Sequence, residues 1–148
     1  MTTRKATVPF TLIRTSPAVS EADGTANVKS DIFKAQVPRG ERWSLRPGST
    51  FQAYLEDASA EIGNGGNAIE IQVRDASEQQ RLTVYGPAPY ISSKESQDID
   101  LKAKLNVPEV VYIPERGWIV ITVKDDGAID ASDSRFQLDV HREPLELT

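Results

Sequence analysis

Cysteine is absent from the 148 residues, and histidine, methionine and tryptophan occur once, once and twice. Without a thiol the chain has no disulfide framework, no thiolate zinc site and no cysteine nucleophile, so packing alone must hold it together. With His141 as the single imidazole, neither a histidine-rich metal site nor a two-histidine mechanism can be assembled within one chain. Long apolar runs are missing as well: near the start only Val8 to Ile13 is apolar, broken by Pro9 and Thr11, too short for a signal-peptide core or a membrane span. Positive charge is scarce, with 17 Lys and Arg against 22 Asp and Glu, a net charge of −5 and a pI of about 4.9. Nucleic acid and membrane are therefore not expected as partners, since both demand a surplus of Lys and Arg on at least one face.

What is present is enough for one domain. The length suits a single unit over residues 1–148 that buries about two thirds of its unfolded surface. Hydrophobic residues at 39% and charged residues at 26% make a folded globular chain rather than a disordered one. The dominant pattern is short alternating segments cut by turn residues, the mark of half-buried strands. Ile69, Ile71 and Val73 alternate with Glu70, Gln72 and Arg74; Phe136, Leu138 and Val140 alternate with Gln137, Asp139 and His141. Trp118 to Val123 is nearly all apolar, as in a strand covered on both faces. Turn chemistry falls between the runs, at Pro38-Arg39-Gly40, Pro47-Gly48, Pro114-Glu115-Arg116-Gly117 and Asp125-Asp126-Gly127.

Together these predict strands at 6–14, 31–37, 42–46, 50–57, 68–75, 81–85, 98–105, 109–113, 118–124 and 134–142. In 97–107 the Leu101 and Leu105 pair also fits a helical spacing, but Ile99, Leu101, Ala103 and Leu105 follow period two, which favours a strand. Longer loops are expected at 15–30, 58–67 and 86–96. The fold class is all-β, a two-sheet antiparallel sandwich, with a jelly roll favoured over an immunoglobulin-like arrangement because no Cys, Trp, Cys spacing is present.

Chemistry is hard to find. His141 falls on the polar face of the last strand beside Arg142, with no Gly-x-Ser-x-Gly elbow to pair it with a nucleophile, and is read as a solvated surface histidine. Gly63-Asn64-Gly65-Gly66-Asn67 lacks the strand before and helix after that a phosphate-cradling loop requires, so it reads as a connection. Asp125, Asp126, Asp130 and Asp133 crowd one stretch in a way that suits calcium, yet the spacing is not that of an EF-hand, and Asp and Ser dominate ordinary turns. No catalytic residues, metal site or cofactor are expected. Exposed aromatics such as Trp43, Tyr54, Tyr85 or Tyr90 would suit stacking on sugar rings, which keeps a carbohydrate-binding or adhesin-like module open as the alternative class.

Two features point to protein contacts. Lys34, Arg39, Arg42 and Arg46 surround Trp43 in an otherwise acidic chain, and Arg and Trp are enriched where interfaces concentrate their binding energy. The start, with Arg4 and Lys5 in a polar basic stretch, either opens the first strand or extends over residues 1–8 as an arm onto a neighbour.

The run Val37-Pro38-Arg39-Gly40, then Leu45-Arg46-Pro47-Gly48 and Phe51 to Asp57, and the ending Asp133 to Arg142 resemble small jelly-roll structural proteins of viral capsids. The chain from about Asp31 onward most resembles the head decoration, or cement, proteins of tailed bacteriophages, in strand order and turn placement. That resemblance implies a non-enzymatic virion protein, made in the host cytoplasm. It would sit on the outside of the capsid as a homotrimer and stabilise the lattice of the major capsid protein.

Overall fold

The computed structural model describes residues 8–14, 29–57, 68–89, 98–105, 107–124 and 129–145. Among these the chain forms ten strands and no helix: β1 (Val8–Arg14), β2 (Ser30–Gln36), β3 (Glu41–Leu45), β4 (Thr50–Asp57), β5 (Ala68–Arg74), β6 (Arg81–Pro89), β7 (Asp98–Lys104), β8 (Val111–Ile113), β9 (Trp118–Lys124) and β10 (Ile129–Pro144). Every segment that the alternation predicts is a strand, including 98–104, where period two prevails over the helical spacing.

The strands make two antiparallel sheets. One runs β2-β9-β5-β6; the other runs β7-β4-β10-β3-β8, with β1 also paired to β10. In the larger sheet β1 occupies one edge of β10, as in Leu12 opposite Leu138, while β4 and β3 follow one another along the opposite edge, through Phe51 opposite Leu138 and Ser44 opposite His141. The far side of that line is taken by β7 against β4 and β8 against β3. β3 with β4, and β7 with β8, are thus two long ribbons, each interrupted once. The turn between β3 and β4 closes with the Ser49 amide donating to the Arg46 carbonyl at 3.0 Å.

Two strands run further than the sequence implies. β6 continues to Pro89, where a loop is expected from residue 86. Among the described strands β6 is an edge, paired with β5, and edge strands tolerate proline because a missing N–H there need not interrupt a ladder. Gly86, at φ +77°, permits the close passage, since a Cβ would lie 2.3 Å from the Ile69 carbonyl oxygen. β10 begins at Ile129, so Asp130 and Asp133 lie in a strand rather than a calcium-type loop. A register shift between Asp130 and Arg135 absorbs the irregular composition there. Asp125, Asp126, Arg4, Lys5 and the rest of 1–7 lie outside the described residues.

Between the sheets sits the apolar half of the alternation. Phe33 and Phe136 stack at 5.6 Å between ring centres, and Ile69, Ile71, Ile113 and Leu138 are fully buried around them. Each such side chain contributes about 1.5–3 kcal/mol of transfer free energy.

The outer face of the four-stranded sheet is also closed, by polar groups. Glu70, Gln72 and Arg74 point away from the core yet are buried. The Arg74 guanidinium crosses β9, which lies between β5 and β2, to grip the Asp31 carboxylate through both oxygens at 2.8 and 3.0 Å. It also donates to Gln72 at 2.9 Å and to Glu78 at 2.9 Å. Thr122 donates its hydroxyl to Asp31 at 3.1 Å. Lys34 pairs with Glu78 at 2.7 Å and lies over the Trp118 ring at 4.5 Å. Lys29 pairs with Glu70, which also accepts from the Thr83 hydroxyl at 2.7 Å. Burial opposes ionisation of Asp31 and Glu70, but the donors around them win, and both carboxyls titrate below their ordinary values. Glu78 is likewise held down, first by Lys34.

Candidate contact site on the larger sheet

β3 separates the residues grouped by sequence. Alternation sends Trp43 and Leu45 inward and Arg42 and Ser44 outward. Trp43 is accordingly 6% exposed and meets Phe10 edge-on at 5.3 Å; it is a core residue, not the exposed centre of a contact patch. Lys34 leaves the group as well, because β2 belongs to the other sheet and its ammonium is engaged with Glu78. Arg39 stays exposed in the Pro38–Glu41 turn, closed by the Glu41 amide on the Pro38 carbonyl at 3.3 Å.

Arg42, Ser44 and Arg46 remain together, and the larger sheet supplies the rest of the site. In register, Ser44 has His141 of β10 on one side and Tyr112 of β8 on the other. Arg42 lies over the Tyr112 ring at 4.3 Å and forms an ion pair with Glu143, its opposite residue on β10, at 2.5 Å. Tyr112 itself is 53% exposed. Burial, and then the Arg46 charge, push the His141 imidazole below its ordinary pKa, with Asp139 partly offsetting them. His141 therefore faces outward as the alternation requires, but as a partly buried group rather than a solvated one.

Two depressions flank this strip. An open groove of about 490 Å³ is lined by Thr11, Thr50, Gln52, Lys104, Gln137 and Asp139. Asp139 accepts there from the hydroxyls of Thr11 at 3.3 Å and Thr50 at 2.6 Å. On the other side, where the edge strands β6 and β8 approach each other, a dent of about 280 Å³ is lined by Val111, Pro114, Arg81 and the exposed side chains of Leu82 and Tyr112. Among the described residues no group of three or more His, Asp or Glu is placed to hold a metal ion.

Tyr112 escaped attention in the sequence although it alternates between Val111 and Ile113, because β8 is only 3 residues long and its neighbour β3 is remote in the chain. No protein-family model matches the chain, and no curated protein matches it.

Proposed function

We propose that this chain is a non-enzymatic structural protein of the jelly-roll type that binds the outside of a viral capsid and braces the major capsid protein lattice, acting as a homotrimer. The observation that carries this reading is the strand order. Counting β3 with β4 and β7 with β8 as single ribbons gives eight, and the first pairs with the eighth, the second with the seventh, the third with the sixth and the fourth with the fifth. One long antiparallel hairpin of ribbons rolled over two sheets supports the jelly-roll reading, and jelly rolls are a frequent architecture of capsid proteins. Fold alone does not carry function. The contact residues add to it: Arg42 stacked on exposed Tyr112, with Leu82 and Arg81 beside them, is the composition of an interface anchor.

Co-sedimentation with heads of the parent virus lacking this protein tests the reading. Saturable binding to the lattice is expected, weakened roughly tenfold or more by Leu82→Asp or by Arg39→Glu with Arg42→Glu, the scale of an interface anchor. A strict monomer by light scattering that also ignores the heads would overturn it.

The polar groove favours a second reading, a carbohydrate-binding module. Two Gln, two Thr, one Lys and the Asp139 carboxylate offer the donors and acceptors that sugar hydroxyls use. The aromatic platform expected from the sequence is not Trp43, which lies in the core, nor Tyr85, whose ring packs on Phe51 at 4.7 Å. Glycan binding abolished by Asp139→Ala, with no binding to heads, would put this reading first.

A further inference from the structure

Charge is divided between the two ends of the larger sheet. β10, 16 residues long, pairs with β3 near its finish, Pro144 opposite Glu41, and with β4 at its start, Ile129 opposite Asp57. The Pro38–Glu41 turn and Asp57 therefore stand at opposite ends of one strand. At the Asp57 end the register sets Asp98, Glu56 and Asp130 abreast on β7, β4 and β10, and the stretches 56–67 and 125–134 hold seven acidic residues and no Lys or Arg. Like charges opposite one another on neighbouring strands repel, so this end favours cations from outside.

The other end is its complement. The turns at 38–41 and 114–117 are joined by the Val37 amide donating to the Gly117 carbonyl at 2.8 Å and the Gly40 amide to the Glu115 carboxylate at 3.1 Å, and Pro114 reaches the dent between β6 and β8. Arg39, Arg81 and Arg116 are exposed here, and among the described residues none has a carboxylate partner; Arg81 gives its Nε to the Glu78 carbonyl at 3.1 Å. The nearby carboxylates are already occupied: Glu78 by Lys34 and Arg74, Glu41 by Arg142, Glu143 by Arg42, and Asp75 by the Ser77 hydroxyl and the Gln79 and Gln80 amides. Between the arginines the core is unsealed. Leu82 stands opposite the buried Val73, so it belongs to the inner face, yet it is 52% exposed, with Tyr112 and Pro114 beside it around the dent.

We infer that this arginine-rimmed dent is a docking surface for a second copy of the chain, which presents its acidic Asp57 end. Arg39, Arg81 and Arg116 meet the acidic row, and the contact covers Leu82 and Tyr112. Because the two surfaces differ, the contact is heterologous: repeated, it closes into a ring where the rotation permits, or continues as an open chain. The inference rests on the homotrimer part of the proposed function and needs no capsid.

Sedimentation velocity of the full chain over a range of concentrations tests it. Self-association is expected at low salt and should weaken as salt rises, because exposed charges are screened. Arg81→Glu with Arg116→Glu, and separately Glu56→Lys with Asp98→Lys, should each weaken it about tenfold or more, since each places like charges across the contact. An equimolar mixture of the two double variants should recover association, each now offering the charge that the other needs. A parent chain that stays monomeric at low salt, association that neither double variant weakens, or a mixture of folded variants that associates no better than either alone would overturn the inference. Leu82→Ser, a change at an exposed position, gives a second readout: about tenfold weakening is expected, and an unchanged constant would also overturn it. Heads bound by a chain that remains monomeric would assign the dent to the head protein, sinking this inference while the capsid contact stands. Salt-sensitive self-association restored in the mixture, with no binding to heads, would support the inference and sink the capsid reading instead.

Discussion

The outer faces of the two sheets use the same materials and reach opposite ends. On the four-stranded sheet Arg74 is surrounded by Asp31, Gln72 and Glu78, and its guanidinium closes a network that runs from Lys34 to Thr122. On the larger sheet Arg42 stacks on an exposed tyrosine while the Ser44 hydroxyl and the His141 Nδ1 beside it are left unmatched among the described residues. The difference lies in where acceptors stand. The hairpin loop between β5 and β6 brings Glu78 back over its own sheet at φ 61°, whereas no described acceptor covers Ser44. A polar face that completes its hydrogen bonds internally serves stability; one that does not is suited to an outside partner.

Substitutions can break that contrast. The largest effect belongs to Arg74→Met, which removes the buried cation that Asp31 and Glu78 share; Lys34 stays on Glu78 and water reaches Asp31, so the cost should be about 2 kcal/mol in urea unfolding. A cost below about 1 kcal/mol would mean that the network is not what closes this face.

Acid should act on the same face. Asp31, Glu70 and Glu78 titrate below their ordinary values in the folded chain, so on acidification the unfolded chain takes up protons first. The stability they contribute is present in full above the ordinary carboxyl values of about 4 and is lost as the pH falls through the lower folded values. Urea midpoints measured across that range should fall for the parent chain and fall less for Arg74→Met, which has already lost the pairing. A smaller decline should appear at higher pH, because the folded His141 is also depressed and the unfolded chain protonates first below about pH 6.5. His141→Asn should remove that upper step and leave the lower one. The smallest change, and one of opposite sign, is expected on the other face, where Ser44→Ala removes a buried, unmatched hydroxyl and should raise stability by about 1 kcal/mol.

Much of the fold was legible in the sequence. Alternation is a local property of period two, so Ile69 to Arg74 and Phe136 to His141 declare both their strand state and their two faces without reference to any partner. The same logic placed Trp43 and Arg42 on opposite faces, had it been applied to β3 rather than to the charge cluster around it. Turn residues were equally informative at Pro38 to Gly40 and Pro47-Gly48. They misled at Gly86 and Pro87, where an edge position removes the usual objection to proline in a strand.

Pairing was decided only in three dimensions. Arg74 and Asp31 are 43 residues apart, Thr50 and Asp139 are 89 apart, and Arg42 and Glu143 are 101 apart. A ladder is chosen by which strands can bury their apolar faces together, and that choice is nonlocal. The sequence by itself determined that this chain is all-β and which side of each strand seeks the core, because a pleated strand alternates its side chains whatever lies beside it. Only the tertiary structure decided which outward polar groups find one another, closing the Arg74 face and leaving the Ser44 face open, because hydrogen bonds require partners within about 3 Å that no local pattern can bring together.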